Sequence, residues 1–394
     1  MAVKEKKRIL ILYDFPIAGG GSGAYVKFLA LRLSESQQYT VGVAAPEKTP
    51  IDKSIAHYYI KLPQIPVFIG RPGLESSKKY IDLSAFEIEQ LYEKYTKELI
   101  RIVEEFRPDI IHVHHMMVHS WAARFVKAMY GTKIIITSHG SCLFVLGEDK
   151  RYMPLTKDAL FSANMITAVS DDTKTRILKM FGKELNSKVK VIPGGIRKSK
   201  FPARRHTETL DRIRKKYKLN EPYYVMFAGR LITEKGADYL VKAANKINGP
   251  ILIVGDGPQK KTLEQMIKKD NLKNVTMLGF VGQDDLMSMY YLASIFVAPA
   301  VWDEPMGFTT LEAMAASVPV VASRKVTFAI KDGVNGFYVK PRNSNDLAEK
   351  VNMLLANYKL RRMLGKNARD TVFKNYTWIE ITKRFDKIYK SVLE

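Results

Sequence analysis

The stretch Glu304-Pro305-Met306-Gly307-Phe308-Thr309-Thr310-Leu311-Glu312, followed by an apolar run over 313–321, is the part of the chain that best indicates its fold. The proline and glycine are typical of a turn and the residues after them are typical of a helix, so we expect a loop that becomes a helix. The first N–H groups of a helix have no intrahelical acceptor, and those from Gly307 to Thr310 would therefore be available to an anion. Glu304 and Glu312 could hold hydroxyl groups on either side of that anion. A ligand made of a sugar, a diphosphate and a ribose has this layout.

A purely structural interpretation of the same stretch is also open. A glutamate near the start of a helix complements the helix dipole, and a Pro-x-Gly sequence is ordinary turn chemistry. The stretch by itself therefore does not decide between a ligand site and a simple turn.

The spacing of Glu304 and Glu312, with the proline, glycine and phenylalanine between them, resembles the E-x(7)-E signature of retaining glycosyltransferases of family 4, in the GT-B architecture. The resemblance implies an α/β fold with two Rossmann-like domains facing across a cleft and a C-terminal helix that crosses back to the first domain. It implies an acceptor-side domain at 1–198 together with the helix 377–394, and a nucleotide-sugar donor domain at 199–376.

Length and composition agree with two domains. A chain of 394 residues is long for one ordinary domain and suits two of nearly equal size. The sequence has no apolar run of membrane-spanning length, and its basic N-terminus leads directly into a predicted strand rather than into a signal-peptide core. A single cysteine, Cys142, excludes an internal disulfide framework. We therefore expect a cytoplasmic protein.

The net charge of +23 has three possible explanations: nucleic acid, an anionic membrane surface, or an anionic substrate together with plain solubility. Residues 1–200 carry 31 basic and 20 acidic side chains and residues 201–394 carry 32 and 20, so the excess is not a basic tail. No nucleic-acid-binding motif accompanies it, which disfavours nucleic acid as the partner. Peripheral association with an anionic membrane surface, on the inner face of the membrane, stays open.

The first half begins with a predicted strand, a glycine-rich loop and a helix from Ala24 to about Leu33. Glycines let the backbone approach a phosphate or sugar closely, but their spacing is not the dinucleotide-binding fingerprint, so a nicotinamide enzyme is disfavoured. The resemblance places Gly20 and Gly21 next to the donor diphosphate.

Histidines make a second feature of this half. Four of the seven, at 112, 114, 115 and 119, lie close together in sequence, but no Cys, Asp or Glu beside them completes a metal ligand set, and we predict no metal site. His139 follows a predicted strand and precedes a glycine, which would place its side chain at the carboxyl edge of the sheet, where ligands of such sheets bind. A purely structural histidine is the alternative. By resemblance, His139 would touch the transferred sugar and its phosphate.

The remaining predictions for this half concern its elements. Residues 46–84 have a loose pattern and are expected to be irregular, and 83–106 are expected to form a long amphipathic helix. A basic segment over 197–220 is expected to be a turn-rich domain boundary. After Val191, Gly194 and Arg197 stand where the family often has Asn and Asp, so the contacts of those two residues cannot be carried over.

The second half opens with another predicted strand, followed by Gly229-Arg230-Leu231-Ile232-Thr233-Glu234-Lys235-Gly236. This string resembles the G-R-x-x-x-x-K-G motif of the family. Arg230 can bind a diphosphate in a forked manner and Lys235 can act as a point charge, in place of a metal ion. By resemblance, backbone groups around Phe280 and Val281 would contact the nucleotide base.

The loop over 324–330 departs from the family, because it is shorter and lacks the usual Gly-Gly pair and Pro-Glu. The departure affects acceptor-side and domain-closure contacts more than donor binding. An unusual acceptor would fit it.

Together these features predict a retaining transferase that moves a hexose-type sugar from a nucleotide diphosphate, such as a UDP- or GDP-sugar, to a hydroxyl group without a metal. The acceptor would be lipid-linked, a glycan or a small molecule. Glu304 would orient the sugar ring, with His139 as its catalytic partner, and the donor-binding residues would be Gly20, Gly21, Arg230, Lys235, Phe280, Val281, Gly307, Phe308, Thr309, Thr310 and Glu312. A sugar-nucleotide 2-epimerase of the same fold and a nucleic-acid-binding protein are the alternatives.

Overall fold

The computed structural model describes residues 6–18, 20–68, 74, 76–304, 306–326 and 328–394. The chain divides into two compact units, one formed by Met1–Gly194 with Trp378–Glu394 and the other by Gly195–Thr377. Each unit has its own parallel sheet. The units divide after Gly194, just before the basic segment 197–220 in which a domain boundary was predicted.

Among the described residues, the sheet of the first unit has seven parallel strands in the order β3-β2-β1-β4-β5-β6-β7. The strands are β1 (Lys7–Tyr13), β2 (Tyr39–Ala45), β3 (Ala56–Tyr59), β4 (Ile110–His114), β5 (Lys133–Ser138), β6 (Met165–Ala168) and β7 (Val189–Val191). The helices between them are α1 (Gly21–Glu35), α2 (Ala85–Phe106), α3 (Val118–Tyr130), α4 (Ser141–Glu148), α5 (Met153–Ser162) and α6 (Asp171–Phe181).

Local sequence explains these elements well. Residues 9–13 of β1 are fully buried, as expected for a central strand covered on both faces. Helix α2 begins with a capping box, in which Ser84 accepts from the Glu87 N–H and Glu87 accepts from the Ser84 N–H. Ser170 caps α6 by accepting from the Thr173 N–H at 3.1 Å. The predicted long helix is therefore present.

The sheet of the second unit has six parallel strands among the described residues, in the order β10-β9-β8-β11-β12-β13. The strands are β8 (Tyr224–Ala228), β9 (Ile251–Val254), β10 (Val275–Gly279), β11 (Ala293–Ala298), β12 (Val320–Ser323) and β13 (Gly336–Val339). The helices are α7 (Thr207–Tyr217), α8 (Ala237–Ala243), α9 (Lys260–Lys269), α10 (Gln283–Met289), α11 (Phe308–Ala315), α12 (Ser344–Ala356) and α13 (Tyr358–Asn375).

Alternate side chains of the central strand β8 pack into two different apolar cores. Met226 belongs to one buried apolar cluster, while Val225 and Phe227 belong to another. Since successive side chains of a strand point to opposite faces, both faces of this sheet are covered. The carboxyl ends of the strands are left for loops, among them the predicted ligand loops.

The last helix, α14 (Trp378–Leu393), packs on the first unit. The Tyr389 hydroxyl lies 2.8 Å from His112 Nδ1 on β4, and the Trp378 ring contacts Tyr25 of α1 edge-on. The predicted fold, two parallel α/β sheets with a C-terminal helix that returns to the first, is confirmed.

Two elements differ from the predictions. Strand β3 lies inside the stretch predicted to be irregular, of which residues 69–73 and 75 fall outside the described residues. Helix α7 lies inside the segment predicted to be turn-rich. Ile213 of α7 is buried, and Leu210 and Tyr217 pack against the same core, a helical spacing of three and four residues that the prediction overlooked.

Within the described part of the chain, every helix is too short or too polar to cross a membrane.

Candidate active site

A small pocket of the second unit lies at the carboxyl ends of β8 and β11. Five of the predicted site residues line it: Lys235, Glu304, Gly307, Thr309 and Thr310. Its cavity volume, about 20 Å³, is far below the ~300–1,000 Å³ typical of sites that bury a drug-sized ligand. The pocket can therefore hold part of a large donor molecule rather than all of it.

Lys235 is held in the pocket by the turn that follows it. Gly236 has a φ of +68°, and a Cβ atom at that position would lie 2.1 Å from the Pro299 carbonyl oxygen. Only glycine fits there, and its close approach to the loop after β11 brings the Lys235 ammonium into an ion pair with the Glu304 carboxylate. The sequence placed these two residues in one site, and the structure brings them into contact.

The backbone of Glu304 is fixed by the loop that departs from the family pattern. The Glu304 N–H donates to the Lys325 carbonyl oxygen at 2.8 Å, and Glu304 forms a parallel β-bridge with Val326. Val326 also lines the pocket. The unusual loop thus supports Glu304 directly, which the sequence did not predict.

The predicted loop-to-helix transition is present. Helix α11 begins at Phe308, and its first intrahelical bond runs from the Leu311 N–H to the Gly307 carbonyl oxygen at 3.1 Å. The N–H groups of Phe308, Thr309 and Thr310 therefore have no intrahelical acceptor. A Cβ atom at Gly307 would lie 3.1 Å from Thr310 Oγ1, so glycine keeps this end of the helix open.

Glu312 does not line the pocket but lies in a buried network beside it. The Tyr290 hydroxyl donates to Glu312 Oε2 at 2.8 Å, and Gln283 Nε2 donates to Oε1 at 3.0 Å. Burial raises the pKa of Glu312 to about 7, while the two hydrogen bonds oppose the rise. The sequence suggested two carboxylates on either side of an anion, and the structure gives them different environments.

The other predicted residues of this unit do not line the pocket. Arg230 follows β8 and is half-buried. Phe280 follows β10 and is 80% exposed, whereas the next residue, Val281, is buried in the apolar core. Gln283, two residues after Val281, begins α10 and contacts Glu312, so the loop carrying Phe280 and Val281 leads directly into this contact.

The predicted residues of the first unit lie at the carboxyl ends of β1 and β5. Gly20 and Gly21 are exposed at the start of α1, where the Gly20 carbonyl oxygen accepts from the Ala24 N–H at 2.9 Å. His139 is buried, and its Nε2 lies 3.0 Å from His114 Nδ1. Its pKa is well below the usual value because of burial and the neighbouring His115 and His112. His139 is therefore neutral at physiological pH.

His139 Nδ1 has no hydrogen-bond partner among the described residues. Since Nε2 is engaged with His114, Nδ1 is the atom that could contact a ligand, and the tautomer of His139 depends on the proton of His114.

A buried polar cluster that the sequence did not predict lies behind His139. The Asp14 carboxylate is fully buried, 3.4 Å from His115 Nδ1 and 3.3 Å from the Tyr80 hydroxyl. Burial by itself would raise the pKa of Asp14, but His115 and His119 lower it overall. The sequence did contain a sign of this cluster, because Asp14 and His115 directly follow β1 and β4, which neighbour each other in the sheet.

Two family models match consecutive parts of the chain: Glycosyltransferase Family 4 over residues 19–200 and Glycosyl transferases group 1 over residues 210–371. The first spans Gly20, Gly21 and His139, and the second spans the predicted site residues from Arg230 to Glu312. The chain belongs to glycosyltransferase family 4. The predicted family is thereby confirmed.

Relatives of this family 4 glycosyltransferase match it over nearly its full length. An uncharacterized glycosyltransferase of Methanocaldococcus jannaschii is 29% identical over 405 residues, covering 98% of this chain and 99% of the relative. Sucrose-phosphate synthase from Thermosynechococcus elongatus has a TM-score of 0.79 at 21% identity, with 98% and 99% of the two chains covered. Anabaena HepE, solved in complex with UDP-glucose, has a TM-score of 0.74 at 18% identity, with the same coverage. The solved structures share the predicted GT-B fold.

Proposed function

We propose that this family 4 glycosyltransferase transfers a hexose-type sugar from a nucleotide diphosphate to an acceptor hydroxyl, with retention of the anomeric configuration and without a metal. The observation that carries the proposal is the pocket in which the Lys235–Glu304 ion pair adjoins the open N-terminus of α11. One cation, one carboxylate and a row of N–H donors match the diphosphate and the sugar of such a donor. We assign donor binding to residues 199–376 and the acceptor side to residues 1–198 with the last helix.

The diphosphate would lie against Lys235 and the N–H groups of Phe308, Thr309 and Thr310. As the bond to the sugar breaks, negative charge grows on the departing phosphate, and donors already in place stabilise it without reorganisation. Lys235 is balanced by Glu304 in the unliganded protein, so a diphosphate needs a second cation. Arg230, on the same loop, would supply it.

Glu304 would bind hydroxyl groups of the sugar ring. Its backbone is fixed by Lys325 and Val326, and its side chain is only partly exposed. A carboxylate accepts hydrogen bonds but cannot donate them, so it would select a sugar orientation with hydroxyls facing it. The anomeric carbon would then be held in a fixed position relative to the diphosphate.

Glu312 would bind the ribose, with the base beside Phe280 and Val281. Tyr290 and Gln283 each donate one hydrogen bond, to different oxygens of the carboxylate. Each oxygen therefore keeps a lone pair that could accept from a ribose hydroxyl. The HepE complex with UDP-glucose makes a UDP-sugar the first donor to test. His139 would contact the transferred sugar through Nδ1, and Gly20 and Gly21 would adjoin the diphosphate.

The transfer step needs no protein nucleophile. The bond from the anomeric carbon to the phosphate oxygen breaks, the acceptor oxygen bonds to the same face of that carbon, and the acceptor proton passes to the departing phosphate. The products are the glycosylated acceptor and the free nucleotide diphosphate.

The test replaces the sugar-side carboxylate. Glu304→Gln should lower the rate of sugar transfer by about a hundredfold or more, because an amide cannot accept equally from two hydroxyls, while nucleotide affinity changes little. The rate is followed as nucleotide released from a nucleotide sugar in the presence of hydroxyl acceptors. Asp303→Asn is the matched control, since Asp303 is adjacent but pairs with Lys325 at 3.0 Å.

Wild-type turnover in Glu304→Gln would contradict the assigned role. Formation of a 2-epimer of the sugar nucleotide without release of nucleotide diphosphate would contradict the transfer reaction itself and favour an epimerase.

A further inference from the structure

Two adjoining helices of the first unit expose large apolar side chains to solvent. On α3, Phe125 is 37% exposed and Met129 is 65% exposed, and on α5, Leu155 is 41% and Phe161 is 37% exposed. Single exposed apolar residues are ordinary, but several on neighbouring helices mark a surface that contacts something.

The two helices are joined so that these side chains belong to one surface. Trp121 Nε1 of α3 donates to Thr156 Oγ1 of α5 at 2.9 Å, and Arg124 lies 3.7 Å from Asp158 at the surface. Trp121, Phe125 and Met129 are spaced by four residues and therefore follow one stripe of α3. We call the exposed side of α3 and α5 the α3/α5 face.

The charges on and beside this face are mostly positive. Along the two helices the charged side chains are Arg124, Lys127, Lys157 and Asp158, and Lys133 is exposed just after α3. Glu104 of α2 is an acid beside the face, where it accepts from the Tyr130 hydroxyl at 2.8 Å. The Lys157 ammonium lies 5.6 Å from the Phe161 ring, so cation and apolar group share one surface. Lys188 is anchored here as well, donating to the Phe161 carbonyl oxygen at 2.7 Å.

We propose that the α3/α5 face docks on an anionic lipid bilayer. Exposed aromatic and aliphatic side chains can enter the headgroup region while the lysine and arginine heads bind anionic lipids, which is the chemistry of interfacial membrane binding. The positive charge argues against a second copy of the chain, because a symmetric contact would set two cationic faces against each other. This surface is separate from the donor pocket, so the proposal does not depend on the transfer reaction.

The experiment is sedimentation of the full chain with vesicles of phosphatidylglycerol and phosphatidylcholine, compared with phosphatidylcholine alone. The protein should sediment with the anionic vesicles and be released by salt, because surface electrostatics are screened. Lys133→Glu with Lys157→Glu should weaken binding about fivefold per lost cation, the equivalent of ~1 kcal/mol each. Met129→Ser with Leu155→Ser should weaken it about tenfold or more through lost apolar insertion.

Tyr358→Ser with Met363→Ser is the matched control, since these α13 residues of the second unit are 65% and 49% exposed. It should bind vesicles like the wild type. The proposal is overturned if the protein stays in the supernatant with anionic vesicles at low salt, or if the face variants bind as the wild type does. It is also overturned if velocity sedimentation shows a dimer that Met129→Ser with Leu155→Ser dissociates while vesicles are not bound.

Discussion

Glu312 shows how one residue of the site is prepared for its proposed task. Its carboxyl is buried, which raises its pKa to about 7, and Tyr290 and Gln283 hold one oxygen each. The pKa of Tyr290 is raised in turn, by burial first and by Glu312 second, so its hydroxyl is a donor throughout the physiological range. The carboxyl is therefore fixed in orientation but close to half ionised near neutral pH.

From this we predict a pH-dependent donor affinity. A nucleotide sugar should bind more tightly as the pH rises through about 7, because only the ionised carboxylate accepts from both ribose hydroxyls while Tyr290 and Gln283 keep donating. Calorimetric titration with a nucleotide sugar gives the dissociation constant directly. The ligand carries no phosphate that titrates in this range.

Tyr290→Phe should shift the pH at which the affinity for the nucleotide sugar rises to a higher value. It should also weaken binding at neutral pH about tenfold, the order of one lost hydrogen bond to a charged group. Tyr291→Phe is the control, since that hydroxyl bonds to the Pro202 carbonyl oxygen at 2.7 Å. A pH-independent affinity in the wild type would mean that Glu312 does not contact the donor.

At the scale of elements, β4 carries two histidines into the middle of the first sheet. His112 lies 2.8 Å from the Tyr389 hydroxyl and 2.6 Å from Thr137 Oγ1, and burial lowers its pKa to about 3. Burial also lowers the pKa of His114 well below its ordinary value. Both are neutral in the folded protein, whereas they would be protonated in mild acid once unfolded.

This strand should therefore open more easily in acid. Below the unfolded pKa of about 6.5 the unfolded state binds protons that the folded state does not, so stability falls as the pH decreases from about 6.5 toward 3. Each such histidine contributes a slope of up to ~1.4 kcal/mol per pH unit. Hydrogen exchange of residues 110–114, corrected for the intrinsic exchange rate, measures this opening free energy.

His112→Gln should reduce the slope, because glutamine does not titrate. The exposed His206 of the second unit provides the control variant His206→Gln. If the opening free energy of residues 110–114 has the same pH slope in the wild type and in His112→Gln, protonation of His112 is not the cause of the acid sensitivity.

Elements with strong local signals were predictable from the sequence. The continuous apolar run of β1, the capping box of α2 and the turn chemistry before α11 each give a direct reason for the observed element. Strand β3 has only four residues, too few to show a periodicity, whereas Leu210, Ile213 and Tyr217 of α7 do have helical spacing but lie in a basic segment predicted to be a turn-rich boundary.

The side-chain contacts of the site were less predictable. Lys235 and Glu304 are 69 residues apart, Glu312 and Tyr290 are 22 apart, and His114 and His139 are 25 apart. Such pairs depend on which loops meet at the sheet edge, which local pattern does not determine. The family resemblance had identified at least one residue of each pair as a site residue, and only the structure shows which side chains are in contact.

At the scale of the whole molecule, we propose two functions for the excess of cations that gives the net charge of +23. Cations at the donor pocket would bind a diphosphate, and cations of the α3/α5 face would bind anionic lipid. Both effects are electrostatic, but only the second involves a large exposed surface, so salt should weaken membrane binding more than donor binding. Each unit has its own sheet, and each proposed function lies within one unit.

The central claim is that the pocket around Lys235 and Glu304 binds a nucleotide diphosphate without metal. The direct test is thermal unfolding of the full chain with UDP, GDP, ADP and CDP in the presence of a chelator, then with the matching sugar nucleotides. One nucleotide should raise the midpoint by about 5 °C or more at ~100 times its dissociation constant. Lys235→Gln should lose the shift, and Lys242→Gln, at an exposed lysine paired with Asp238, should keep it. No shift with any nucleotide, or the same shift in Lys235→Gln, would contradict the account.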